Sequence, residues 1–145
     1  MGFGFLYAPI LMIILFSFSG SKIPGNWGDF STKWYHELIH DKAILNAIWV
    51  SLRVAVTSAT MSVILGTIGA VVLVRYHQMK GRELFHRLST APVLIPDIIL
   101  GLGLILLFVT LKNLIGWPNQ LGIPTVTIAH ATVGMAYVII VVKAR

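Results

Sequence analysis

The sequence contains no cysteine, which excludes disulfides, thiolate zinc sites and cysteine nucleophiles. Charge is also scarce, at 11% of the 145 residues, and only five residues are acidic. A soluble domain carries about 25% charged and roughly 45–50% apolar residues; this chain is 57% hydrophobic, with a mean hydropathy of +0.86. These figures exclude a soluble single domain. What the chain does have is long apolar runs, which at ~20 residues per membrane-crossing helix suffice for about four spans. Any part outside the bilayer must be small. A net charge of +6 with a pI near 10.0 would suit nucleic acid. Here the basic residues fall between the apolar runs and no aromatic-basic surface accompanies them, so no nucleic-acid partner is expected.

The runs give an all-α membrane protein with spans near 3–21, 46–74, 88–111 and 125–142, an outer loop over 22–45 and an inner loop over 75–87. The first run has neither a basic lead nor a small-residue cleavage site, so it reads as a span and not as a secretory signal. Lys and Arg are retained on the cytoplasmic side in short loops. Arg75, Lys80, Arg82 and Arg87 crowd the 75–87 loop, and Lys143 and Arg145 follow the last run. Lys22, Lys33, Lys42 and Lys112 fall in the other segments, three of them offset by Asp29, Glu37 and Asp41. Both termini are therefore expected inside. Trp27, Trp34, Tyr35, Trp49 and Trp117 fall in or beside the outer segments, where an interfacial aromatic belt would lie.

His36, Glu37 and His40 form the His-Glu-x-x-His pattern. On a helix the two histidines share a face and would bind zinc, with Glu37 as general base. A catalytic zinc needs a third protein ligand. After Asp41 the carboxylates are Glu83, expected inside, and Asp97, expected within the bilayer; His77 and His86 are also inside, and His130 lies in a span. A short interfacial helix, supported by Trp34, Tyr35, Leu38 and Ile39, is the preferred reading, with a membrane zinc protease as the alternative. No metal site or cofactor is expected, since neither a glycine loop for nucleotide nor a nucleophile triad is present.

Within the second run Ser58, Ser62, Gly66 and Ala70 recur every four residues, a stripe that lets helix backbones approach closely in lipid. The third run holds Asp97 near its middle, where a carboxylate costs ~2.5–3.5 kcal/mol on the insertion scale. Pro92 and Pro96 cannot donate to the carbonyls of Leu88 and Pro92, which predicts free carbonyl oxygens beside the acid, together forming a cation site. In the fourth run His130 and Tyr137 are two helical turns apart and share a face with Thr127 and Gly134 nearby. Asp97, His130 and Tyr137 are the candidate substrate-path residues; packing and hydrogen bonding within a bundle would account for them otherwise.

The order of these features resembles the inner-membrane permease subunits of ATP-binding cassette importers for polyamines, and most of all the putrescine type. The resemblance rests on Trp34 and Tyr35, on VAVTSATMSVILGTIGAVVLVRY from Val54 to Tyr76, and on Lys80, Gly81 and Arg82. More specific are TAPVLIPDIILGLGLILLF from Thr90 to Phe108, IGW from Ile115 to Trp117, and Ala129 with His130. It implies a bacterial inner-membrane subunit with about six spans, a homologous second permease subunit, a cytoplasmic ATP-binding subunit and an outer substrate-binding protein. It also implies that a cytoplasmic loop with a Glu-Ala-Ala motif and two more spans would follow Arg145, so that this chain corresponds to the N-terminal part of a permease. A membrane remnant without transport activity is the third reading.

Overall fold

The computed structural model describes Gly2–Arg145 except Pro24 and His77, and no side chain at Gly2 or Phe3. His77, assigned to the inner loop from sequence, lies outside the described residues. All extended regular structure among the described residues is helical: α1 (Gly2–Phe16), α2 (Lys33–His40), α3 (Lys42–Arg75), α4 (Arg82–Leu94), α5 (Asp97–Ile115) and α6 (Ile123–Lys143). The chain is an all-α membrane protein. It forms two compact units, Met1–Trp49 and Val50–Arg145.

In the first unit α1 has 15 residues, about 22 Å at 1.5 Å per residue, which falls short of the ~30 Å hydrocarbon core. The apolar run read as a span over 3–21 leaves the helix at Phe16. The Ser17 hydroxyl donates to the Ile14 carbonyl at 2.6 Å, and the chain then enters a loop closed by an isolated bridge between Ser19 and Phe30. Ser19 is 3% exposed and organises the loop. Its hydroxyl accepts from the Gly28 N–H at 2.9 Å, and its carbonyl accepts from the Trp34 indole N–H at 2.9 Å. Phe18 stacks on Phe30 with ring centroids 5.6 Å apart. A side chain at residue 28 would meet the Ser21 backbone nitrogen at 2.8 Å, so the loop closes this tightly only around glycine. Asp41 then starts α3, its carboxylate accepting from the Ala43 and Ile44 amides at 2.9 and 3.2 Å, as an N-cap aspartate does.

The second unit is built on α6. Ser58, Ser62, Gly66 and Ala70 of α3 are all buried, and Ser62 and Gly66 lie against α6. The Ser62 hydroxyl donates to the Ser58 carbonyl at 2.7 Å and is 3.1 Å from the Ala131 carbonyl of α6. A β-carbon on Gly66 would stand 2.6 Å from the Val138 β-carbon. This is close backbone approach through small residues, with each serine hydroxyl satisfied by a carbonyl rather than left bare in an apolar medium. Gly69 and Leu73 extend the same face, with Gly69 against Ile139 and Phe85. Ala70, Leu73, Ala136 and Ile139 have no exposed surface.

Helix α4 packs along the C-terminal half of α6. Lys143 Nζ donates to His86 Nε2 at 3.2 Å, and Arg82 Nε donates to the Leu73 carbonyl at 3.0 Å, joining α4 to α6 and to the end of α3. The inner loop read over 75–87 is thus a short turn that becomes helix again at Arg82. Elsewhere the surface is apolar: Val56, Ile64 and Ile68 on α3 and Ile98, Leu102 and Leu106 on α5 are all more than half exposed. That surface is stable only where the solvent is itself hydrocarbon. Among the described residues three helices, α3, α5 and α6, are long and apolar enough to cross a membrane.

The structure departs from the sequence reading over 88–111, where one span was expected and two helices are found. Pro96 has no N–H and disfavours helical geometry in the residue before it. Ile95 accordingly turns to extended backbone at φ −89°, ψ 132°, ending α4 at Leu94, and α5 begins at Asp97. Pro92 lies near the end of α4, two residues before Leu94, and leaves the Leu88 carbonyl without its N–H partner.

Candidate functional site

The break between α4 and α5 fixes where the acid sits. Asp97 is the first residue of α5, where helix geometry leaves the first amides without intrahelical acceptors; the next amide bond in the helix runs from the Leu100 N–H to the Pro96 carbonyl at 3.0 Å. The carbonyls that lack an N–H partner at the two prolines, those of Leu88 and Pro92, belong to α4, whereas Asp97 sits at the N-terminal, positive end of α5.

Asp97 opens onto a groove shared with α6. From Asp97, α5 runs beside α6, and Asp97, Leu100, Gly101 and Leu104 face Ala129, His130, Val133 and Tyr137 across a groove of about 380 Å³. Each set repeats every three or four residues, as one face of a helix does. Val133 is the central residue of the 21-residue α6, so the groove runs along the middle of that helix, with Asp97 among the residues that line it. A more apolar stretch of about 440 Å³ continues past Gly101 and His130 to Phe108 and Thr125.

The three candidate substrate-path residues therefore line one groove. Among the described residues the one ion pair is Arg87 with Glu83, 3.2 Å apart on the surface of α4; Asp97 takes part in none. His130 Nδ1 donates to the Val126 carbonyl one turn back at 3.0 Å, which fixes the ring and leaves Nε2 as an acceptor in the neutral form. Tyr137 is 53% exposed and presents both a ring face and a hydroxyl. Sequence reasoning missed the walls, because Leu100, Leu104 and Val133 look like any other apolar residue of a span. Gly101 and Ala129 carried a usable signal: their small size keeps the groove open, and a β-carbon on Gly101 would meet nothing within 4 Å.

The His-Glu-x-x-His motif lies on α2, in the first unit. On α2 the rings of His36 and His40 stack with centroids 4.3 Å apart, and His40 Nδ1 donates to the His36 carbonyl at 2.8 Å. No group of three or more His, Cys, Asp or Glu able to hold a metal occurs among the described residues, and the zinc-protease alternative gains no support.

No family model matches the chain. Along all 145 residues it is 48% identical to the putrescine transport system permease protein PotI of Escherichia coli K12, covering 52% of that protein. Over 143 residues it is 34% identical to the spermidine/putrescine transport system permease protein PotC of the same organism, covering 52% of it. The PotC protein of Haemophilus influenzae is 27% identical over 143 residues, with 53% covered. The chain spans about half the length of these curated relatives, which are transport permeases and not enzymes. From end to end the chain is similar to about half of a polyamine-transport permease subunit, the resemblance its own sequence carries.

Proposed function

We propose that this chain forms part of the membrane-spanning permease of an ATP-driven polyamine importer, with the groove between α5 and α6 on the substrate path. The observation that carries the reading is Asp97: a carboxylate at the start of a membrane-crossing helix, without an ion-pair partner among the described residues, lining a groove with His130 and Tyr137. An acid in an apolar groove of a membrane protein is costly unless a counter-charge visits it. An ammonium group leaving water has the complementary problem, so each offsets the other's desolvation. The Tyr137 ring adds a face for the cation. The names of PotI and PotC, a putrescine and a spermidine/putrescine permease protein, supply the substrate class.

The broken span supports the same reading, since irregular backbone at membrane depth is tolerated where it lines a cavity, and discontinuous helices mark substrate sites in other transporters. In this assembly a homologous permease subunit closes the path, a cytoplasmic subunit hydrolyses ATP and an outer binding protein delivers substrate. The chain sits in the bacterial inner membrane with the 75–87 turn and the end of α6 cytoplasmic, the side favoured by their basic residues. The test is labelled putrescine uptake by inverted-control and right-side-out vesicles containing this chain with the three partner subunits. ATP-dependent uptake above that of vesicles lacking this chain is expected; equal uptake would contradict the function and leave an inert membrane helix bundle.

A further inference from the structure

We infer that His130 is a specificity-determining residue of the groove, selecting ammonium groups that carry N–H bonds over fully alkylated ones. The inference rests on the proposed polyamine path and adds to it a rule about which cations qualify. Two kinds of recognition are present in the groove. The Asp97 carboxylate attracts any cation through its charge, and the Tyr137 ring face does the same. Neither depends strongly on whether the nitrogen bears hydrogen. His130 differs, because its Nδ1 is engaged by the Val126 carbonyl at 3.0 Å. A carbonyl oxygen only accepts, so Nδ1 carries the hydrogen and Nε2 of the neutral ring is left with a lone pair. Nε2 therefore offers an acceptor to a primary or secondary ammonium and nothing to a quaternary one.

The surroundings sharpen this preference. Leu100, Leu104, Ala129 and Val133 around the polar groups have no side-chain donor or acceptor, so water has few partners with which to mediate between a quaternary nitrogen and the imidazole. A site built to hydrogen-bond a substrate N–H discriminates against the analogue lacking it more strongly than an apolar pocket discriminates by size.

The test compares putrescine with its bis-trimethylammonium analogue, which keeps both charges and the four-carbon spacing, by calorimetric titration of the full chain in lipid nanodiscs. Wild type is expected to prefer putrescine. In His130→Phe, which retains an aromatic ring but no acceptor, putrescine binding should weaken about tenfold or more while analogue binding changes little. His130→Gln, which returns an oxygen acceptor near the position of Nε2, should restore most of the preference. Asp97→Asn should weaken both ligands. Equal binding of the two ligands by wild type, or a preference that survives His130→Phe, would overturn the role of His130 while leaving the polyamine path intact. Absence of saturable binding of either ligand, or binding indifferent to Asp97→Asn, would instead overturn the path itself and the inference with it.

Discussion

Asp97→Asn is expected to reduce putrescine uptake by about a hundredfold in cells supplying the partner subunits, with the amount of protein in the membrane unchanged. The change is nearly isosteric, and Asp97 bonds no other described residue through an ion pair, so no internal contact is lost. Stability should shift little; removing an acid from the apolar region makes insertion easier by up to ~2.5–3.5 kcal/mol. What disappears is the counter-charge for a passing ammonium. The net worth of a hydrogen bond to a charged group is about 1.5–3 kcal/mol, which at 1.4 kcal/mol per decade corresponds to roughly ten- to hundredfold. The upper end is expected because the groove walls are apolar and screen poorly. Labelled putrescine uptake, paired with quantification of the protein in isolated membranes, checks both halves. Normal uptake would remove Asp97 from the path and leave it the bland role of starting α5 on the positive end of the helix dipole.

The second large effect concerns the scaffold that holds α6. Gly66→Ala places a β-carbon 2.6 Å from the Val138 β-carbon and 3.0 Å from the Met135 carbonyl oxygen. Both neighbours are fixed to the α6 backbone, so the clash is not relieved by rotating a side chain. The helices must move apart, and the Ser62 hydroxyl, 3.1 Å from the Ala131 carbonyl one turn away, loses its reach across the interface. Overpacking of this kind costs about 1–3 kcal/mol. Denaturant unfolding in detergent micelles should register that loss in Gly66→Ala, and Val138→Gly should recover part of it in the double variant, giving a coupling energy between the two positions. An unfolding free energy equal to wild type would show that the α3–α6 contact is looser than its geometry indicates.

Much of the second unit was legible in the sequence because membranes make exceptions conspicuous. A lone acid, a lone histidine and a tyrosine in apolar runs stand out against hydrocarbon, and Asp97, His130 and Tyr137 line one groove. The Ser58, Ser62, Gly66 and Ala70 stripe was legible because small residues at four-residue spacing have few reasons to recur. Gly69 and Leu73 were not, since in a helix apolar on every side neither hydropathy nor residue type marks the face that is buried. The break at Ile95 and Pro96 was half legible. The prolines were visible, but the apolar run continues through them, and run length alone does not distinguish a helix with two strained turns from two helices. The loop of the first unit was the least legible part. It depends on Ser19 meeting Gly28 and Trp34, contacts nine and fifteen residues away that no local periodicity reports.

The central claim is that the groove between α5 and α6 is wet and receives a polyamine. Because the chain has no cysteine, single cysteines report on it without background. Leu100→Cys and Val133→Cys face the groove while leaving Asp97, His130 and Tyr137 in place; Ile98→Cys, 80% exposed and outside the groove lining, serves as the control. In the assembled transporter a membrane-impermeant, positively charged thiol reagent is predicted to label positions 100 and 133, more slowly when putrescine is added, and to leave position 98 unlabelled. Labelling absent at 100 and 133, or proceeding at the same rate with and without putrescine, would contradict the account.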